Sequence, residues 1–181
     1  MADPSDPDRI KRAWVHVSYE IEMYETLRNS SHLHRKPKDN IDRALYESLC
    51  VHMRNLIDFL LLPARLDDMV AVHFVSTWTA TLAKGSLLDT VRNEVIPKQI
   101  AHLTYDRLDI PDTGHPWDWN ATYAALDVHV NKFIDDARIA GFELSDRAKQ
   151  ARGIQTYANT CTSSSSDSAF AVWNVDTGKK T

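Results

Sequence analysis

Glu47, Arg54 and Asp58 are the residues of this chain whose types and spacing most directly suggest chemistry. At 3.6 residues per turn they fall on one line of a helix, with Cys50, Val51, Leu61 and Leu62 on its flanks. A surface helix gives its charges a broad polar face, whereas these occupy a narrow strip between apolar shoulders. Charges at such a boundary are costly unless paired, so the strip is either an ion-pair ladder or a site. As a ladder, Glu47 and Asp58 neutralise Arg54. As a site, Arg54 holds a phosphate or carboxylate in a bidentate fork, Glu47 acts as base or orients Arg54, and Asn55 adds an amide.

A second candidate is the run Lys98-Gln-Ile-Ala-His102-Leu-Thr-Tyr-Asp-Arg107. Lys98 and His102 are four residues apart and share a helix face. His102 could serve as general acid or base near neutral pH, while Lys98 and Arg107 steady an anion. The structural alternative is a half-buried histidine bonded to a carboxylate such as Asp58 or Glu47. Histidines at 32 and 34, and the Asp67, Asp68 and His73 group, lack the further ligands at the spacing a metal needs, so no metal or cofactor is expected. The basic stretch from His32 to Lys38 could meet phosphates, with RNA as one partner, or be a solvated loop.

Helices must position these residues. Ile10, Trp14, Val17, Ile21, Tyr24 and Leu27 recur at i+3/i+4 spacing and predict an amphipathic helix from Asp8 to about Asn29, capped by Asp8 or Ser5. A breaker-rich loop follows. Asp39 or Asn40 caps a second helix that runs until Pro63 stops it. Ser86-Leu-Leu-Asp89 reads as a capping box for a third helix reaching about Leu108, with Pro97 kinking it or starting a fresh one. Pro116 suits the first turn of a fourth, which keeps helical spacing through Trp119, Tyr123, Leu126, Val130, Phe133 and Ala137 to about Gly141. Beyond it the chain turns charged, then Ser/Thr-rich. Five glycines and no strand–helix alternation argue against a nucleotide-binding turn.

The bulk numbers fit this picture. The chain has 181 residues, 43% hydrophobic and 25% charged, with a net charge of −4, the profile of one soluble globular domain. Such a balance argues against a strongly basic nucleic-acid clamp, though not against a local basic patch. Cys50 lies in an apolar helix and Cys161 in a polar tail, so no disulfide is expected. With no signal-like apolar run at the start and no membrane-length stretch, a cytoplasmic location is expected.

Glu47, then His52-Met-Arg54-Asn55-Leu-Ile-Asp58-Phe59, then Asp67-Asp68, then Ile-Ala-His102-Leu-Thr-Tyr-Asp-Arg107, resembles a group of bacterial helical proteins similar in organisation to the HEPN superfamily of nucleic-acid-associated domains. The resemblance covers roughly residues 9 to 142. It implies a metal-independent ribonuclease using an Arg and a His with four to six residues between them, often with a polar residue after the Arg. This chain departs from that pattern: Val95, Ile96 and Pro97 stand where the Arg before His102 belongs, and Arg92-Asn93 is too far away. The literal spacing occurs at Arg9 and His16 and at Arg28 and His34, matches that chance supplies in a chain with this many Arg and His residues. Arg54 and His102 could still meet across two helices.

The expectation is therefore an all-α, HEPN-like four-helix bundle over residues 9–142, with a flexible leader at 1–8 and a disordered or loosely docked polar tail at 143–181. Two functions fit it. One is a ribonuclease of the toxin or defence kind, with catalytic Arg54, His102 and Glu47 and substrate contacts from Asn55, Lys98, Arg107 and Asp58. The other is a non-catalytic interaction module, dimeric or otherwise, in which the same residues fix helix register.

Overall fold

The computed structural model describes residues 6–30, 39–65, 68–97 and 118–153. Among them the chain is all-α, with no strand. The long helices are α1 (Pro7–Arg28), α2 (Asn40–Leu61) and α4 (Trp119–Ile139). Shorter ones are α3 (Leu87–Thr90), which continues as a π-helical stretch over Val91–Val95, and α5 (Asp146–Ala151). None of the described helices is long and apolar enough to cross a membrane.

Helix boundaries follow local chemistry. Asp6, not Asp8 or Ser5, caps α1: its carboxylate accepts the Asp8 amide at 3.0 Å, and Pro7 takes the first helical position, where no N–H is needed. Asp39 caps α2 by accepting from the amides of Ile41 and Asp42, both at 2.9 Å. The expected box at α3 forms its first half, and its return bond falls one residue earlier than the cap. Ser86 Oγ accepts from the Asp89 amide at 3.2 Å, while Asp89 reaches back to the Gly85 amide at 2.7 Å. Helix α4 starts at an Asp118 cap and closes on Gly141, whose φ of +89° lets the Gly141 and Phe142 amides return to the carbonyls of Arg138 and Ala137. Pro97 leaves its mark upstream: the ladder widens over Val91–Val95, and the Ile96 amide reaches Val91 O, five residues back. A wider turn relieves the clash that a proline ring makes with the carbonyl four residues before it.

Side-chain contacts set the helix directions. Tyr24 meets Tyr123 and Asp127 while Trp14 meets Phe133, so α4 runs antiparallel to α1. Tyr46 meets Trp119 and Phe59 meets Phe133, so α4 runs parallel to α2. Helix α3 packs on α4, and the 3-10 turn Ala71–His73 packs on α2. One end of the core is aromatic. The buried Phe133 lies 5.0 Å from Phe59, 5.6 Å from Trp78 and 6.0 Å from Trp14, ring centre to ring centre. Each such pair adds about 0.5–1.5 kcal/mol to the burial of its rings. The indoles keep their hydrogen bonds: Trp78 Nε1 donates to Leu60 O at 2.7 Å, and Trp14 Nε1 to Glu143 O at 2.6 Å.

Residues 143–153 share the polar composition of the tail, yet they pack as part of the domain. Leu144 and Ala148 are buried, the Ser145 amide donates to Ser18 Oγ at 2.9 Å, and α5 lies along α1. Arg152 closes this segment. Its guanidinium donates to Glu25 Oε1 at 2.6 Å and also bonds Asn131 on α4. Glu25 is 1% exposed and lies 2.6 Å from Arg28 Nε as well, a contact without hydrogen-bond alignment. Arg28 in turn holds both oxygens of Asp127 at 2.5 Å, and the Tyr24 hydroxyl donates to the same carboxylate at 3.1 Å. Burial outweighs the arginines and raises the Glu25 pKa; burial and the Asp127 charge raise that of Tyr24.

Candidate functional site

The strip on α2 does not form a ladder. Asp58 turns away from Arg54 and takes Arg92 from the π-helical segment in a two-pronged fork, Nε to Oδ1 and Nη2 to Oδ2, the latter at 3.2 Å. That fork raises the Arg92 pKa and ties α3 to α2. Asn93 continues the chain of bonds, accepting from Arg92 and donating to Asp89 at 2.5 Å. Glu47 is exposed and Arg54 half-buried; among the described residues neither has an ion-pair partner. Burial, reinforced by the charge of Glu47, pushes the Cys50 thiol pKa up. His102, Lys98 and Arg107 lie outside the described residues, as do His32, His34, Lys38 and Asp67.

The structure assembles a polar cluster whose pairing sequence reasoning missed. His52, 8% exposed, places Nδ1 2.7 Å from Glu20 Oε2, and Asn55 Nδ2 donates to the same oxygen at 3.2 Å. Against a carboxylate oxygen, Nδ1 is the donor of this bond. Tyr19 meets the ring edge-on at 5.7 Å. A partial signal was present: His52 and Asn55 stand three residues apart on one face of α2, so they can share a partner. Nothing in the spacing says that the partner is Glu20, on another helix.

Beside this cluster, α1, α2 and the segment at 68–70 line a half-open cavity of about 250 Å³. Its polar lining comes from His16, Glu20, Asn55, Asp58 and Asp68, with Phe59 and Met69 among its apolar walls. Asn55 and Asp58, both chosen from sequence, thus reach one cavity; Glu47 and Arg54 do not line it. A second cavity of about 400 Å³ shares Phe59, Leu62 and Val70 with it and is chiefly apolar, with Trp78 in its wall. Among the described residues no three His, Cys, Asp or Glu side chains gather as a metal site would require. Chemically, the first cavity offers acceptors and an oriented imidazole nearby, whereas Arg54, one turn before Asp58, offers a cation outside its lining.

Compared with known proteins, the chain matches no protein family, no curated protein and no solved structure.

Proposed function

We propose that this chain is a nucleic-acid-associated helical protein of HEPN-like organisation, acting in the cytoplasm as a metal-independent ribonuclease of the toxin or defence kind. The observation that carries this reading is the state of Arg54. Arg28, Arg92 and Arg152 are half-buried and each grips a carboxylate. Arg54 is also half-buried, yet it has no carboxylate among the described residues. A guanidinium held at an apolar boundary and left unpaired supports anion binding, and a phosphate suits its fork. In this reading Arg54 stabilises the phosphate, His102 transfers the proton, and Lys98, Arg107 and Asn55 hold the strand, while Glu47, expected to orient Arg54, is exposed and makes no ion pair with it. Asp58 contributes by holding Arg92.

The test is cleavage of single-stranded RNA by the full chain, with and without a chelator, alongside Arg54→Ala and His102→Ala. Cleavage that survives the chelator and is lost in both variants supports the reading. Unchanged cleavage in either variant sinks that residue's role, and a wild-type chain that neither binds nor cuts RNA sinks the function. The interaction-module reading is favoured by a different observation: exposed apolar side chains at Val15, Tyr19 and Val51.

A further inference from the structure

Helix α1 carries a second stripe, on the side away from its core face. Arg12, Val15, Tyr19 and Glu22 follow one another at spacings of three, four and three residues, which keeps them within one narrow band of the helix surface. Val15 is 67% exposed and Tyr19 48%, large apolar groups that the chain's own core leaves in water. Arg12 is exposed and Glu22 half-buried, and among the described residues neither forms an ion pair.

The order along the stripe is what matters. It reads basic, apolar, apolar, acidic, and it is centred on position 17: 12 and 22 lie equally far from that point, as do 15 and 19. Laid against an antiparallel copy about a two-fold axis at that centre, Val15 of one helix meets Tyr19 of the other, twice. Arg12 meets Glu22, also twice. Asp8 and Thr26, both exposed and on the same band, extend the match by one turn at each end. A two-fold interface requires such self-complementarity, because each patch must fit its own copy reversed. A parallel pairing would set Arg12 against Arg12 and Glu22 against Glu22, so the charges select the antiparallel one.

We infer that α1 is a homodimer contact, an antiparallel α1–α1 pairing with a Val15–Tyr19 centre and Arg12–Glu22 ends. This surface is separate from the Arg54 strip on α2 and does not depend on what that strip binds. Apolar anchors at the centre and charges at the rim are the usual anatomy of such a contact.

Sedimentation equilibrium of the full chain across the micromolar range tests it, with circular dichroism to show that each variant folds. The wild type is expected to dimerise reversibly, more weakly at high salt. Arg12→Glu and Glu22→Arg each turn two attractive pairs into two repulsive ones and should weaken association roughly tenfold. The double variant Arg12→Glu with Glu22→Arg restores the pairs in reverse and should recover the wild-type constant. Tyr19→Asp should leave a folded monomer. A wild type that stays monomeric throughout, a dimer indifferent to the single reversals, or a folded double variant that fails to recover would each overturn the inference.

Discussion

Replacing Glu25 with alanine should unfasten α5 from α1, and the structure sets the size of the effect. Breaking a buried ion pair by removing one partner costs about 3–5 kcal/mol, because the other charge stays behind uncompensated. Two features place Glu25→Ala at the lower end. Arg28 keeps Asp127, which holds it by both oxygens at 2.5 Å. Arg152 keeps Asn131, and its side chain is 16% exposed, so water reaches part of the stranded guanidinium. About 3 kcal/mol is then expected, out of a total that for a domain of this kind runs to about 5–15 kcal/mol. With a urea slope of about 2 kcal/mol per M, the midpoint falls by about 1.5 M. The thermal midpoint falls by about 6–12 °C. Urea titration followed by circular dichroism measures both wild type and variant. A cycle with Arg152→Ala isolates the pair, whose coupling should reach about 1 kcal/mol or more. A loss below about 1 kcal/mol, or additive single effects, would refute the view that this carboxylate clasps α5.

Because the Glu25 pKa is raised on folding, the native state binds more protons than the unfolded chain between the two values. The stability this titration contributes is therefore complete below the ordinary glutamate range and is lost as pH rises through the raised value. Urea midpoints of wild type and Glu25→Gln, measured against pH, should show the wild type losing ground as pH climbs; a gain would contradict the sign. Cys50 is buried with its thiol pKa pushed up, so in a Cys161→Ser background a thiol reagent should modify it at a rate limited by opening of the fold, and rapid labelling of the native protein would count against its burial.

The sequence alone determined the three long helices and the start of α3. The inner face of α1 at Trp14, Val17, Ile21, Tyr24 and Leu27, the Asp39 and Ser86 caps and the stop at Pro63 were all legible, because periodicity and capping are settled within one turn of one helix. It also picked out Asp58 and Asn55 as polar groups at a boundary. What it could not determine was who pairs with whom. Arg54 stands one turn from Asp58, yet Asp58 bonds Arg92, 34 residues away, and His52 finds Glu20 on another helix. A side chain's partner depends on the register and crossing of whole helices, and here those are set by large rings at one end of the core, Phe133 against Phe59, Trp14 and Trp78. The place of α5 was hidden for the same reason. Its six residues are largely polar, and it joins the domain through Leu144, Ala148 and the clasp of Arg152 on Glu25, contacts that exist only once α1 and α4 are in place to receive them.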